Sequence, residues 1–210
     1  MNYSQVDKFI DVSDYDYVVS IGNKCPTSMY LKELNIYKES FPFDYIPTTP
    51  CLILKYLKSQ DEFYPKKNIV RTEDDVWFGH FNLDNDYNNT IETFKRRFER
   101  LFDILQNKKK ILFVYTSEAD IYNEMKNRYN DNYNDLNKIV EYLIETYKYD
   151  NFKLLCIHVN KSFDDTNNMI NYSINVEDKY FSDDMSTHNY VTCDIYRNTL
   201  KNLLKEIFRV

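Results

Sequence analysis

The sequence predicts an α/β fold: a single domain over residues 1–210, with a three-layer, mostly parallel sheet flanked by helices. A papain-like α+β fold is the alternative. Three observations predict it. Short apolar runs at Tyr17-Val18-Val19-Ser20-Ile21, at 110–115 and at 152–159 have the β-branched density of buried strands. Amphipathic helical stretches lie between and after them, giving the alternation of a parallel sheet. The 210 residues, 43% hydrophobic and 17% aromatic, suffice for one core without staples.

The elements follow in order. The first run stops at Gly22-Asn23, and Pro26 falls where an opening helical turn tolerates a missing N–H. Met29 to Leu34 then reads as helix, so Cys25 occupies a strand-to-helix turn at a helix N-terminus. Ser40-Phe41-Pro42-Phe43-Asp44-Tyr45-Ile46 is expected to be extended. Thr48-Thr49-Pro50 starts a helix through Cys51 to Leu57. The stretch 61–90 reads as irregular and polar apart from an aromatic strand, Val76-Trp77-Phe78. Thr90 is the expected cap of the next helix, whose Phe94, Phe98, Leu101, Phe102 and Leu105 recur at helical spacing. Arg96, Arg97 and Arg100 fall on its other sides.

Lys110 to Tyr115 is a central-strand candidate. A helix over 135–147 places Leu136, Ile139, Val140, Leu143 and Ile144 inside. Phe152 to Val159 is a buried strand, and Tyr172 to Val176 is one more. A closing helix over 192–208 packs through Ile195, Leu200, Leu203, Leu204 and Ile207. The span 110–159 is the clearest βαβ unit, with a long linker through 127–134. Asn/Asp-rich segments at 84–89, 130–135 and 164–168 read as surface loops. No repeat or domain boundary is evident.

Composition excludes several function classes. A net charge of −6 argues against general nucleic-acid binding. The basic clusters Lys95-Arg96-Arg97 and Lys108-Lys109-Lys110 read as solvated helix ends. Twenty tyrosines and abundant Asn, Lys, Asp and Ile suggest an AT-rich coding sequence, so a single Asn or Lys carries little functional weight. No stretch approaches eighteen apolar residues, so no membrane partner is expected. The first residues lack a signal-peptide pattern, and the four cysteines then imply free thiols in a reducing compartment. The expected location is cytoplasmic, or the host cytoplasm for a viral protein. Cysteines at 25, 51, 156 and 193 form no CxxC and no metal-spaced cluster, so neither metal nor cofactor is expected. Oligomeric state is not legible.

The chain has two glycines, where ordinary usage of about 7% gives roughly fifteen. Each lies beside a reactive side chain: Gly22 three residues before Cys25, Gly79 directly before His80. Glycine is required where φ is positive or where another group approaches the backbone closely. Cys25 is the candidate nucleophile, because a helix N-terminus and Lys24 favour thiolate. The Gly22-Asn23 turn offers backbone N–H groups for an oxyanion hole. Cys51, Cys156 and Cys193 sit in apolar runs and read as small buried hydrophobes. His80 is the candidate base, with Asp44, Asp84 and Asn82 available to orient it. Alternative bases are His188, with Asp184 nearby, and His158, which reads as a core histidine.

These residues resemble a known family. Val19-Ser20-Ile21-Gly22-Asn23-Lys24-Cys25-Pro26, followed by the Ser40 to Ile46 segment, resembles a family of papain-like cysteine peptidases, a domain of largely unknown function found in bacteria and some large DNA viruses. The family pattern runs S-[LI]-G-x-x-C, a helix, then FPFD. Its second block has an aromatic-flanked histidine and an RR-x-x-R helix, matched here by Phe78-Gly79-His80-Phe81 and by Arg96-Arg97-Phe98-Glu99-Arg100. Phe81 stands where many relatives carry Asp. The resemblance covers about residues 15–160 and implies Cys25 as nucleophile and His80 as general base.

Two functions follow as expectations. The first is a thiol hydrolase acting on a peptide or small acyl substrate through Cys25. The second is an α/β module that binds an anionic or nucleotide-type ligand at the 20–25 turn, using Gly22, Asn23, Lys24, Arg96, Arg97 and Arg100.

Overall fold

Four apolar runs pair side by side. In the computed structural model, β2 (Tyr17–Ser20), β3 (Ile111–Thr116), β4 (Phe152–Val159) and β5 (Met169–Asn175) form a parallel ladder. The register places Val19 beside Phe113, Phe113 beside Leu154, and Leu154 beside Met169. β1 (Asn2–Tyr3) pairs antiparallel with β5, so the sheet is mixed and its order is β1-β5-β4-β3-β2. The structure describes residues 1–23, 25–117, 133–177 and 190–210, with the backbone alone described at 190–193.

Successive side chains on these strands face opposite ways, and both faces are covered. On one face, Val19, Phe113, Tyr115, Leu154 and Cys156 pack with α2 (Pro50–Lys58), α3 (Tyr87–Gln106) and α4 (Tyr133–Tyr147). On the other, Val18, Leu112, Val114, Leu155 and Ile157 meet α1 (Cys25–Glu33) and α5 (Tyr190–Phe208). The fold is α/β, and four of its five described strands run parallel, unlike the antiparallel sheet of the papain-like alternative.

Several expectations are corrected. The Ser40–Ile46 segment is a mostly buried turn instead of extended chain; four of its residues form a continuous turn, and Tyr45 takes φ 61°. Apolarity marked its burial, but the backbone reverses there. Val76-Trp77-Phe78 makes a single bridge, Arg71 to Trp77, instead of a strand. α3 begins at Tyr87, so Thr90 is buried inside the helix, not at its cap. The loops expected at 84–89 and 130–135 accordingly overlap α3 and α4. Ile144 and Ile195 are exposed. The linker at 127–132 lies outside the described residues. α2 begins as expected, with Thr49 accepting a hydrogen bond from the Leu52 N–H.

The scarcity of glycine shows at helix ends. A helix commonly closes with a left-handed residue, usually Gly, just past its end. Here Asn35, Lys108, Lys148 and Arg209 take that conformation, at φ 57°, 52°, 48° and 55°. In three of them, Lys108, Lys148 and Arg209, the Cβ atom crowds the following carbonyl oxygen and disfavours the conformation by about 1 kcal/mol each. Lys108→Gly should therefore raise unfolding free energy by about 1 kcal/mol, measured by urea denaturation. An unchanged or lowered stability contradicts this.

Candidate active site

The parallel register brings the C-terminal ends of β2 and β3 to one edge of the sheet, where Cys25 emerges. The Ile21 N–H donates to the Val114 carbonyl at 2.9 Å, and the Asn23 N–H donates to the Thr116 carbonyl at 3.2 Å. The Asn23 side-chain amide donates to the Tyr115 hydroxyl at 3.1 Å. The chain then turns into α1, whose first residue is Cys25. Gly22 is required here by close approach: a Cβ built on it would lie 1.8 Å from Thr27 Oγ1. That hydroxyl lies 2.6 Å from Thr116 Oγ1, which presses the first turn of α1 onto the end of β3. Neither glycine has positive φ, so close approach is the reason for Gly22.

His80 arrives from a different part of the chain. The Phe78 N–H donates to the Val70 carbonyl at 2.6 Å, and the Phe81 N–H donates to the Phe78 carbonyl at 2.9 Å. The resulting tight turn carries His80 at the surface. It is anchored by Phe78, fully buried against Phe63 and Phe94 at ring separations of 5.3 and 5.5 Å. Phe63 also meets Phe43 at 6.0 Å, Tyr56 at 5.2 Å, Phe94 at 5.2 Å and Phe98 at 5.1 Å. His80 Nε2 lies 3.4 Å from Cys25 Sγ. A Cβ on Gly79 would fall 1.9 Å from the Trp77 ring, and that ring lies 5.2 Å from the imidazole.

The 40–46 turn forms the third wall. Cys25 Sγ lies 3.7 Å from the Tyr45 carbonyl oxygen. Asp44, just before it, is fully buried, and its Oδ2 accepts from the Phe41 N–H at 2.7 Å. Its Oδ1 is buried without a hydrogen-bond partner among the described residues, as is Arg97 Nη1. Arg100 donates to the Ser40 carbonyl at 2.5 Å and pairs with Glu39 at 2.7 Å. Burial pushes the Asp44 carboxyl up to about 7, although the Phe41 N–H and the charges of Arg97 and Arg100 pull the other way. Burial likewise lowers Arg97, so for both groups loss of water outweighs the pairing. Asp44 is thus bonded to the backbone and makes no hydrogen bond to His80.

The remaining candidates are distributed as follows. Asn82 Oδ1 accepts from the N–H groups of Asp84 and Asn85, closing its own turn. Arg96 lies along its own helix, bonded to the Glu92 carbonyl and Thr93. Arg97 and Arg100 serve the 39–44 segment, and the Asn23 N–H serves the sheet. Of the groups expected to form an anion site or oxyanion hole, the Asn23 N–H, Arg96 and Arg100 are therefore bonded elsewhere. His158 is a buried strand residue with Nε2 3.0 Å from Asn171 Oδ1. Cys156 is buried, and burial pushes its thiol up. Cys51 is exposed, contrary to expectation, because α2 turns Ile53, Tyr56 and Leu57 inward instead. Lys24, Asp184, His188 and the Cys193 side chain lie outside the described residues. No cluster of three metal-ligating side chains occurs among the described residues, and no described helix is long and apolar enough to cross a membrane.

Sequence reasoning missed Phe63, Trp77 and the Tyr45 carbonyl. The close spacing of Trp77, Gly79 and His80 was a usable signal for Trp77. Nothing local signals that Phe63, in a polar stretch, is the centre of an aromatic cluster. Compared with models of known families, with curated proteins and with solved structures, the chain has no significant match.

The Asp44 environment has a testable pH signature. An unfolded aspartate releases its proton near pH 4, whereas the folded one keeps it to about 7. Between these values the folded state binds the extra proton, so stability falls as pH rises, by at most about 1.4 kcal/mol per unit. Asp44→Asn should remove this slope between pH 5 and 7 in urea denaturation compared with wild type. Parallel pH profiles for the two proteins would contradict the assignment.

Proposed function

We propose that the chain is a thiol hydrolase in which Cys25 is the nucleophile and His80 the general base. The observation that carries this is the 3.4 Å separation of Cys25 Sγ and His80 Nε2, across 55 residues of sequence. A thiol and an imidazole within hydrogen-bond reach are the two parts a cysteine nucleophile requires. The positive end of α1 beside Sγ favours thiolate. The sequence resemblance to papain-like cysteine peptidases supports the same two residues and suggests a peptide or other acyl substrate.

In this reading His80 takes the thiol proton as Sγ attacks the substrate carbonyl carbon. The tetrahedral adduct collapses, the bond from carbon to the leaving nitrogen or oxygen breaks, and His80 returns the proton to that leaving group. Water, deprotonated by His80, then cleaves the thioester and restores the thiol. The Asn23 N–H is engaged by Thr116, and Pro26 has no N–H, so neither of these amides stabilises the oxyanion.

Cys51 provides an internal reference, because it is exposed in the first turn of α2 and shares the helix-end setting without the histidine contact. With iodoacetamide at pH 6, Cys25 should alkylate faster than Cys51, read by site-resolved mass spectrometry. His80→Ala should slow Cys25 by about tenfold, the effect of one unit in thiolate affinity for its proton, and leave Cys51 unchanged. Equal reactivity of the two cysteines, unaffected by His80→Ala, would defeat the proposal.

A further inference from the structure

We infer that Trp77 is a positioning residue for His80, its ring holding the imidazole in the orientation that faces Cys25. The inference rests on the thiol-hydrolase reading and supplies what that reading lacks, a group that orients the base. Asp44 is bonded to the Phe41 N–H, and Asn82 is bonded within its own turn. Among the described residues no carboxylate is hydrogen-bonded to His80; its ring meets the Cys25 sulfur and the Trp77 indole.

Three features assign the role to Trp77. Its ring meets the imidazole at 5.2 Å and 67°, an edge-to-face contact of the kind aromatic pairs prefer. Gly79 lies between the two residues in sequence and leaves the space the indole fills, since any Cβ there would sit 1.9 Å from the ring. The backbone around Trp77 is fixed by the Arg71 bridge and by the Phe78 to Val70 hydrogen bond, so the indole projects from a held position. Trp77 is 38% exposed, so burial in the core does not account for its placement.

The size of the effect follows from rotamer counting. An unconstrained imidazole distributes over three χ1 wells and two ring orientations, about six states, one of which aims Nε2 at the sulfur. Releasing His80 should therefore reduce the competent fraction by up to about sixfold. Gly79→Ala should act as a loss of Trp77 does, because the added methyl displaces the indole.

The test is iodoacetamide alkylation of Cys25 in the full chain at pH 6 and pH 9, with Cys51 as reference. Trp77→Leu and Gly79→Ala should slow Cys25 about three- to sixfold at pH 6 and little at pH 9, where thiolate forms without help. Trp77→Phe should retain most of the wild-type rate, and Cys51 should be unaffected throughout. Wild-type behaviour of Trp77→Leu at pH 6, with His80→Ala still slow, overturns the role of Trp77 and leaves the hydrolase reading standing. Equal slowing at both pH values, or no rescue by Trp77→Phe, also overturns it, because the residue is then packing alone. If His80→Ala itself has no effect, the hydrolase reading fails and this inference with it.

Discussion

The Phe63 ring is fully buried at the meeting point of the segments that build the site. It contacts Phe43 in the 40–46 turn, Phe78 in the loop of His80, Tyr56 on α2, and Phe94 and Phe98 on α3. Each of these contacts gains both from apolar burial and from edge-to-face geometry. His80 follows Phe78 by two residues, and Tyr45 follows Phe43 by two. A single aromatic cluster thus fixes two of the three walls around Cys25. The third, the helix start that carries Cys25, is fixed separately by Thr27 pressed onto Gly22 and Thr116.

The arginines on α3 belong to the same construction. Arg97 and Arg100 reach the 39–44 segment, where Asp44 ties the turn to the Phe41 N–H. In this chain the Phe41-Pro42-Phe43-Asp44 segment and the arginines at 97 and 100 thus meet in one packed unit. The arrangement is electrostatically costly, as the opposed shifts of Asp44 and Arg97 show: each is pushed toward its neutral form by burial. Its product is a bulky residue, Tyr45, held in the left-handed region with its carbonyl against the Cys25 sulfur.

Much of the scaffold was legible because buried parallel strands and amphipathic helices carry their own periodicity. The strands at 111–116 and 152–159 and the start of α2 at Thr49-Pro50 read directly. Cys25 at a helix start and His80 beside a glycine were legible from composition, since a chain with two glycines places them where backbone and side chain collide. The 40–46 turn was not legible, because apolar density reports burial and not backbone direction, and a tyrosine at positive φ has no sequence signature. Cys51 misled for a related reason: an apolar run of seven residues wraps twice around a helix, and not every member faces inward. Phe63 was hidden because its partners lie 7 to 35 residues away in sequence, on four separate segments that meet it only after folding.

Thiol chemistry at this site requires Cys25 and His80 to be partners in solution. The most direct measurement is the nitrogen-15 spectrum of the histidine side chains before and after carboxamidomethylation of Cys25. The His80 ring resonances should move when the sulfur is capped, while those of His158, buried and held by Asn171, should not. A His80 spectrum indifferent to the state of Cys25 would contradict the pairing on which the proposed chemistry depends.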